Sequence, residues 1–238
     1  MFFINDEITD SSTMKLQTIA HFQSPFPSKF GIPKQSGLVE ELEGTVVFEP
    51  AFRQPDYLRG IEAFDRLWLL WEFSANPHAA HSPLVRPPRL GGNERVGVFA
   101  SRSPFRPNPI GLSCVRLIHV DWDTPQGPVL HIGGADLMDG TPIIDIKPYI
   151  VYADAHPDAQ SGFVDSHQLS PLNVILPASA ADNFTPQELL ALKKVLAEDP
   201  RPHYHNDPTK LYGMAFARHN VRFSVNNNEL RVIEIEKL

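Results

Sequence analysis

Apolar residues along this chain come in short runs. LQTIAHF (16–22), GTVVF (44–48), LWLLWEF (67–73), VGVFA (96–100), LSCVRLIHVDW (112–122), VLHIGG (129–134) and IIDIKPYIVY (143–152) are rich in β-branched and aromatic residues, and Gly, Pro, Asn or Asp bound them. Runs of this length, closely spaced and without helical patterns between them, predict an antiparallel sandwich or barrel. One short helix is expected from Pro55 to about Phe64. Past residue 163 the pattern changes. Thr185-Pro186-Gln187-Glu188 reads as a capping box with proline at the first helical position. Leu189, Leu192, Val195 and Leu196 then recur at helical spacing, and Pro200 sets the expected stop near Asp199. NVRFSV (220–225) and ELRVIEI (229–235), joined by an Asn run, predict a hairpin. The small, polar stretch 153–163 reads as a linker. A β-rich domain over about 14–155 and a smaller α+β domain over about 165–238 are therefore expected. The polar, acidic residues 1–14 are expected to form a flexible leader.

The residues between two of these runs are unusual. ASRSPFRPNPIGLS (100–113) places Pro104, Pro107 and Pro109 among Arg102, Arg106 and Asn108. Each proline fixes its own φ and pushes the residue before it toward extended geometry. At a polyproline rise of roughly 3.1 Å per residue, Arg102 and Arg106 stand about 12 Å apart. Such a segment loses little entropy on ordering, and guanidinium groups match carboxylate and phosphate bidentately. It reads as a stiff loop that recognises an anion or a nucleotide.

Charge sharpens this picture. The net charge of −7 argues against nucleic-acid binding by the chain as a whole. Between Leu84 and Val120, however, Arg86, Arg89, Arg95, Arg102, Arg106 and Arg116 face a single acidic residue, Glu94. A basic surface on an acidic protein is expected. The single cysteine, Cys114, forms no internal disulfide, consistent with a reducing compartment, and a cytoplasmic location is expected. No apolar run reaches membrane-spanning length.

Three segments carry a family resemblance: FQSPFPSKFGIPKQSGLV (22–39), VRPPRLGGNERVGVFASRSPFRPNPIGLS (85–113) and DLMDGTPIIDIKPYI (136–150). A fourth, DPRPHYHNDPTKLYGMAFARHNVRFSV (199–225), is similar to the bacterial C-terminal extension of the same family. The chain resembles the YaeB/TsaA/TrmO family of tRNA methyltransferases. The resemblance implies a β-barrel core in place of a Rossmann-like methyltransferase fold, and a homodimer. It implies N6-methylation of threonylcarbamoyladenosine at position 37 of threonine tRNA, with S-adenosyl-L-methionine (SAM) as cofactor. By analogy with the family, SAM lies against Pro33, Lys34 and Gln35, Phe73 and Ser74, Arg102 and Leu112, and the turn Asp136-Leu137-Met138-Asp139. Arg102 and Asp139 are the expected catalytic residues, Asp139 as proton acceptor. Arg86, Arg89, Arg106, Asn108, Lys147 and Tyr149 are expected to meet tRNA.

The residues agree that no Rossmann site is present. HIGGAD is the only glycine-rich stretch after a strand, and it lacks the G-x-G spacing. Gly133-Gly134 reads as a bulge or tight bend. Asp139-Gly140 is also a plain hairpin-turn signal. Asp145 and Lys147 share one strand face, as an ion pair or as a polar exterior. Neither His78/His81 nor His203/His205 is completed to a metal site, and no metal is expected. Arg201, His203, Tyr204, Lys210, Arg218 and Arg222 assign tRNA gripping to the small domain while the barrel holds SAM. The competing reading is a non-catalytic RNA-binding module; a nucleotide-dependent hydrolase lacks a phosphate loop.

Overall fold

The computed structural model describes residues 15–76, 82–91, 94–166, 170–201 and 207–238. The 1–14 leader, His78, His81, His203, Tyr204 and His205 lie outside the described residues.

In chain order the elements are β1 (Ala20–Gln23), β2 (Glu43–Phe48), β3 (Arg66–Glu72), β4 (Leu84–Val85), β5 (Val96–Gly97), β6 (Ile110–Asp121), β7 (Val129–Gly133), β8 (Thr141–Pro148), α1 (Val151–Asp154), α2 (Phe163–Ser166), β9 (Asn173–Ile175), α3 (Pro186–Ala197), β10 (Tyr212–Phe216), β11 (His219–Asn226) and β12 (Glu229–Lys237). Six of these strands close an antiparallel barrel in the order β1-β2-β7-β6-β3-β8. Strand alternation fills it. Leu67, Leu69 and Trp71 of β3 point inward, as do Gly111, Ser113 and Val115 of β6. With Phe22, Val46, Leu130, Ile132, Leu137 and Ile143 they make the barrel core.

Two expectations fail locally. The helix over Pro55–Phe64 is two 3-10 turns, Pro55–Leu58 and Ile61–Ala63, parted by Gly60 at φ +87°. That left-handed residue cannot continue a right-handed helix. VGVFA is extended only over Val96–Gly97, which pairs with β4 outside the barrel, and then turns as a 3-10 helix over Val98–Ala100. The expected linker carries the one-turn helices α1 and α2 at its ends.

The C-terminal sheet runs β10-β11-β12-β9, with β9 parallel to β12 and the other pairs antiparallel. Helix α3 starts as its sequence demands. Thr185 Oγ1 accepts from Glu188 N, and Glu188 Oε2 accepts from Thr185 N at 2.8 Å. Its Ala191, Leu192, Val195 and Leu196 pack onto the sheet. The β11–β12 turn falls in the Asn run, with Asn227 at φ +53°.

The two cores do not divide at the linker. Phe26, Val39 and Leu42, which precede β2, are buried among Leu192, Met214, Phe216 and Phe223 of the C-terminal core, and Phe30 and Ile32 pack against it. Ala217 N donates to Pro25 O at 2.9 Å, and Gln187 Nε2 donates to Glu41 O at 2.9 Å. The segment 24–42 leaves the barrel after β1, anchors in the small domain, and returns as β2. It carries Pro33, Lys34 and Gln35.

Candidate active site

Segment 24–42 is tied to the barrel through its middle. Gly37 N donates to Gly134 O at 2.8 Å, and Gly134 N donates to Leu42 O at 2.9 Å. Gly134 sits at φ +77°, the tight bend that its sequence suggested. Ser36 Oγ accepts from Cys114 N at 3.1 Å. Glu40 bridges Arg66 at 2.9 Å and Arg116 at 3.5 Å.

This places Gln35 beside the proline segment, where Arg102 Nη1 donates to Gln35 Oε1. The polar centre next to this pair is Asp136. Ser113 Oγ donates to Asp136 Oδ1 at 2.5 Å, and Ser36 N also donates to the carboxylate. Trp71 Nε1 donates in turn to Ser113 Oγ at 2.9 Å, a buried contact between β3 and β6. Burial pushes the Asp136 carboxyl above the usual range; the hydrogen bonds from Ser113 and Ser36 and the Arg102 charge pull against it.

An apolar wall adjoins these groups. The Trp71 and Phe73 rings meet edge-on at 4.4 Å. Phe73 N donates to Pro109 O at 2.8 Å, which joins the end of β3 to the proline segment. Gly111 lies flat against the Trp71 ring: a Cβ there would fall 2.3 Å from it. The absence of a Cβ at Gly111 is what lets Trp71 reach Ser113.

Of the residues expected to hold the cofactor, Gln35, Arg102 and Asp136 thus come together, with Phe73 and Ser74 at the end of β3 joined to them through Trp71 and Pro109. Leu112, half exposed, alternates with inward-facing Gly111 and Ser113. The remaining residues face elsewhere. Pro33 and Lys34 line a cavity of about 110 Å³ with Val195, Glu198, Asp199 and Pro200 at the end of α3. Leu137 belongs to the barrel core. Met138 O closes a turn by accepting from Thr141 N and Oγ1. Asp139 is exposed: its Oδ1 accepts from Ser24 N at 3.0 Å, and it lines a groove of about 740 Å³ between the two domains with Gln187, Glu188 and Arg218. Asp139-Gly140, with Gly140 at φ +74°, has the geometry of the plain turn.

Arg86, Asn108 and Lys147 are exposed; Arg89, Arg106 and Tyr149 are partly covered. Arg106 Nη1 donates to Ser101 O at 3.2 Å within its own loop. Lys147 pairs with Asp145 at 2.7 Å on the exterior face of β8, and the Tyr149 ring lies 5.8 Å from Trp68. The basic residues of the small domain are more committed than their sequence suggests. Arg201 forks onto Asp199 at 2.8 and 2.9 Å, Arg222 pairs with Glu234 at 2.9 Å, and Lys210 lies over the Tyr212 ring at 5.4 Å. Among the described residues no cluster of three metal-ligating side chains occurs.

Two residues of this centre, Trp71 and Ser113, belong to no catalytic motif in the sequence. The signal was present: Ser113 is the one polar residue on the inward face of Gly111-Ser113-Val115, and a buried hydroxyl requires a partner.

An antiparallel barrel that brings an arginine, a partly buried carboxylate and an aromatic wall together is consistent with a nucleotide-cofactor site outside the Rossmann class. Comparison with known proteins narrows the class. The model of the tRNA-methyltransferase O N-terminal domain matches residues 21–155, and that of the TrmO C-terminal domain matches residues 170–238. The chain belongs to the TrmO family. The tRNA (adenine(37)-N6)-methyltransferase of Escherichia coli K12 is 39% identical over 233 residues, 94% of this chain and 99% of that protein. The protein of the same name from Eikenella corrodens is 44% identical over 68% of this chain and 92% of its own length. A Pseudomonas aeruginosa relative, 37% identical over 85% of this chain and 88% of its own, is named for S-adenosylmethionine-dependent methyl transfer. A crystal structure of TrmO superposes with a TM-score of 0.76 at 31% identity, covering 94% of this chain and 99% of that one.

Proposed function

We propose that this chain methylates N6 of threonylcarbamoyladenosine at position 37 of threonine tRNA, with SAM as cofactor. Its family, and relatives that match it nearly end to end, make it a SAM-dependent tRNA adenine-37 N6-methyltransferase. The observation that carries the site assignment is the convergence of Gln35, Arg102, Ser113 and Asp136. This donor set suits SAM: a guanidinium fork for its carboxylate, a carboxylate for its cationic part, and the Trp71–Phe73 wall beside them. When bound, SAM supplies an electrophilic methyl group. Arg102, set in a stiff segment, fixes its ligand with little ordering cost. Positioning is the main service the protein renders, since alignment of reacting atoms accounts for much of the acceleration of such transfers. For removal of the N6 proton, Asp136 is better placed than Asp139: it is partly buried beside Arg102, and a carboxyl above its usual range is a better base near neutral pH.

Arg86, Arg89, Arg106 and Asn108 are assigned to tRNA, as are Lys147 and Tyr149 near the start of β3. Phe99, 80% exposed, and Phe105, 50% exposed, lie among these arginines along the chain and suit stacking on unpaired anticodon-loop bases. A homodimer acting in the cytoplasm completes the reading. Exposed Ile110 and Leu112 support a dimer contact near the site, and light scattering measures it. Purified chain, SAM and threonine tRNA, followed by mass spectrometry of the anticodon-loop nucleosides, test the reaction. A mass gain of one methyl on threonylcarbamoyladenosine is expected. Binding of tRNA with no binding of S-adenosylhomocysteine (SAH) would instead mark an RNA-binding module.

A further inference from the structure

We propose that Trp71 and Ser113 are positioning residues: a two-step donor relay, Trp71 Nε1–H to Ser113 Oγ and Ser113 Oγ–H to Asp136 Oδ1, that fixes the Asp136 carboxylate in its orientation toward the cofactor. This deepens the site reading above and rests on it.

The relay is dictated by hydrogen-bond bookkeeping. The indole of Trp71 has one donor and no acceptor, so Ser113 Oγ must accept from it at 2.9 Å. The hydroxyl has a single proton. With a lone pair engaged by the indole, that proton is directed to Asp136 Oδ1 at 2.5 Å. The short distance is that of a charge-assisted O–H···O⁻ bond, about twice as strong as a neutral one. Ser113 is fully buried and Trp71 nearly so, so neither hydroxyl nor indole has water as a substitute partner. Gly111 leaves the indole room to lie where its N–H reaches Ser113.

Three elements face Asp136. The proline segment contributes the charged Arg102, β6 contributes the neutral Ser113, and segment 24–42 contributes the Ser36 amide. The relay therefore supplies what a buried carboxylate requires to remain ionised without a direct ion pair. Removing the Ser113 hydroxyl removes a donor that favours the charged form, so Asp136 takes up its proton at higher pH.

The test uses full-length protein in two ways. The first follows the Asp136 side-chain carboxyl of the cofactor-free protein by NMR titration. The second measures SAH affinity by calorimetry from pH 6 to 8.5. Ser113→Ala is expected to raise the pH at which Asp136 protonates. It should weaken SAH binding about tenfold at pH 6, in line with the loss of a hydrogen bond to a charged group, and much less at pH 8.5. Ser113→Thr, which keeps the hydroxyl, should restore the wild-type profile. Trp71→Phe keeps the hydroxyl but frees its direction, and should give a smaller shift of the same sign. The double variant Trp71→Phe/Ser113→Ala should be no worse in pH dependence than Ser113→Ala, because the two steps act in series. An unchanged Asp136 titration in Ser113→Ala overturns the relay, as does a loss of affinity equal at every pH. Failure of wild-type protein to bind SAH would overturn the cofactor reading instead, and the cofactor-free titration would still decide the relay.

Discussion

The segment that carries Gln35 takes its position from a core in the other domain, and Phe26 is where that dependence can be measured. Phe26 is fully buried, and its ring meets Phe216 of β10 edge-on at 5.3 Å. Its carbonyl accepts from Asp139 N at 2.9 Å, on the barrel side. Phe26→Ala deletes the ring and leaves the backbone bond. Such truncations cost about 3–5 kcal/mol, the lost transfer of the ring plus the cavity left behind. The edge-on pair accounts for about 0.5–1.5 kcal/mol of that. Phe26→Leu, which keeps most of the volume, should cost less than ~1.5 kcal/mol. A domain of ordinary stability, about 5–15 kcal/mol, remains folded after Phe26→Leu, and after Phe26→Ala everywhere but the bottom of that range. The anchor of segment 24–42 is nevertheless loosened, and Gln35 and Ser36 then meet Arg102 and Asp136 less often. Urea unfolding should report the full loss for Phe26→Ala, and SAH calorimetry on the folded variant should report at least about a tenfold weaker affinity, near 1.4 kcal/mol. A stability loss below ~1 kcal/mol would refute the packing argument. A full stability loss with wild-type SAH affinity would refute the coupling between the C-terminal core and the cofactor site.

Four further outcomes follow from the same geometry. A chain ending at Asp165 exposes Phe26, Val39 and Leu42, and it should lose SAH binding as well as tRNA binding, which calorimetry on the truncated chain measures. Arg102→Lys keeps the charge but not the bidentate fork; circular dichroism and melting temperature should match wild type while turnover in the nucleoside assay falls sharply, and wild-type turnover would remove Arg102 from the site. Asp136→Asn should raise the stability of the cofactor-free protein while weakening SAH. The Asp136 carboxyl lies above its unfolded value, so its charge costs stability at neutral pH and that cost fades as pH falls through the folded value; melting temperatures at pH 8 and pH 5 check the sign. The β10–β11 turn holds Arg218 at φ +66°, a conformation that glycine adopts at least cost, and its side chain is exposed, whereas Ala217 beside it is packed in the C-terminal core, so Arg218→Gly should stabilise the fold by about 0.5–1 kcal/mol in denaturant titration.

Local chemistry decided much of this protein. The strand periods, the Thr185 capping box and the Asn turn of the last hairpin are consequences of short-range sterics and hydrogen bonding, and they stand in the structure where the sequence places them, apart from VGVFA and the end of IIDIKPYIVY, which turn helical at Val98–Ala100 and Val151–Asp154. The stiffness of 102–109 is equally local, because proline fixes φ whatever surrounds it. The family strings carried the cofactor and the substrate class. Tertiary structure decided the rest. Gly60 broke the helix expected over Pro55–Phe64, because a left-handed residue cannot continue a right-handed helix. Which of two aspartates in DLMD turns toward Arg102 depends on how β7 leaves the barrel: Asp136 meets Ser113, Ser36 and Arg102, while three residues on Asp139 meets Ser24 and the interdomain groove. The division of Phe26, Val39 and Leu42 into the second core was invisible because an apolar residue records that it will be buried, not against what. The Trp71–Ser113–Asp136 relay joins residues from three separate stretches of chain. No window along the sequence contains it, and only closure of the barrel brings the indole, the hydroxyl and the carboxylate within hydrogen-bond reach.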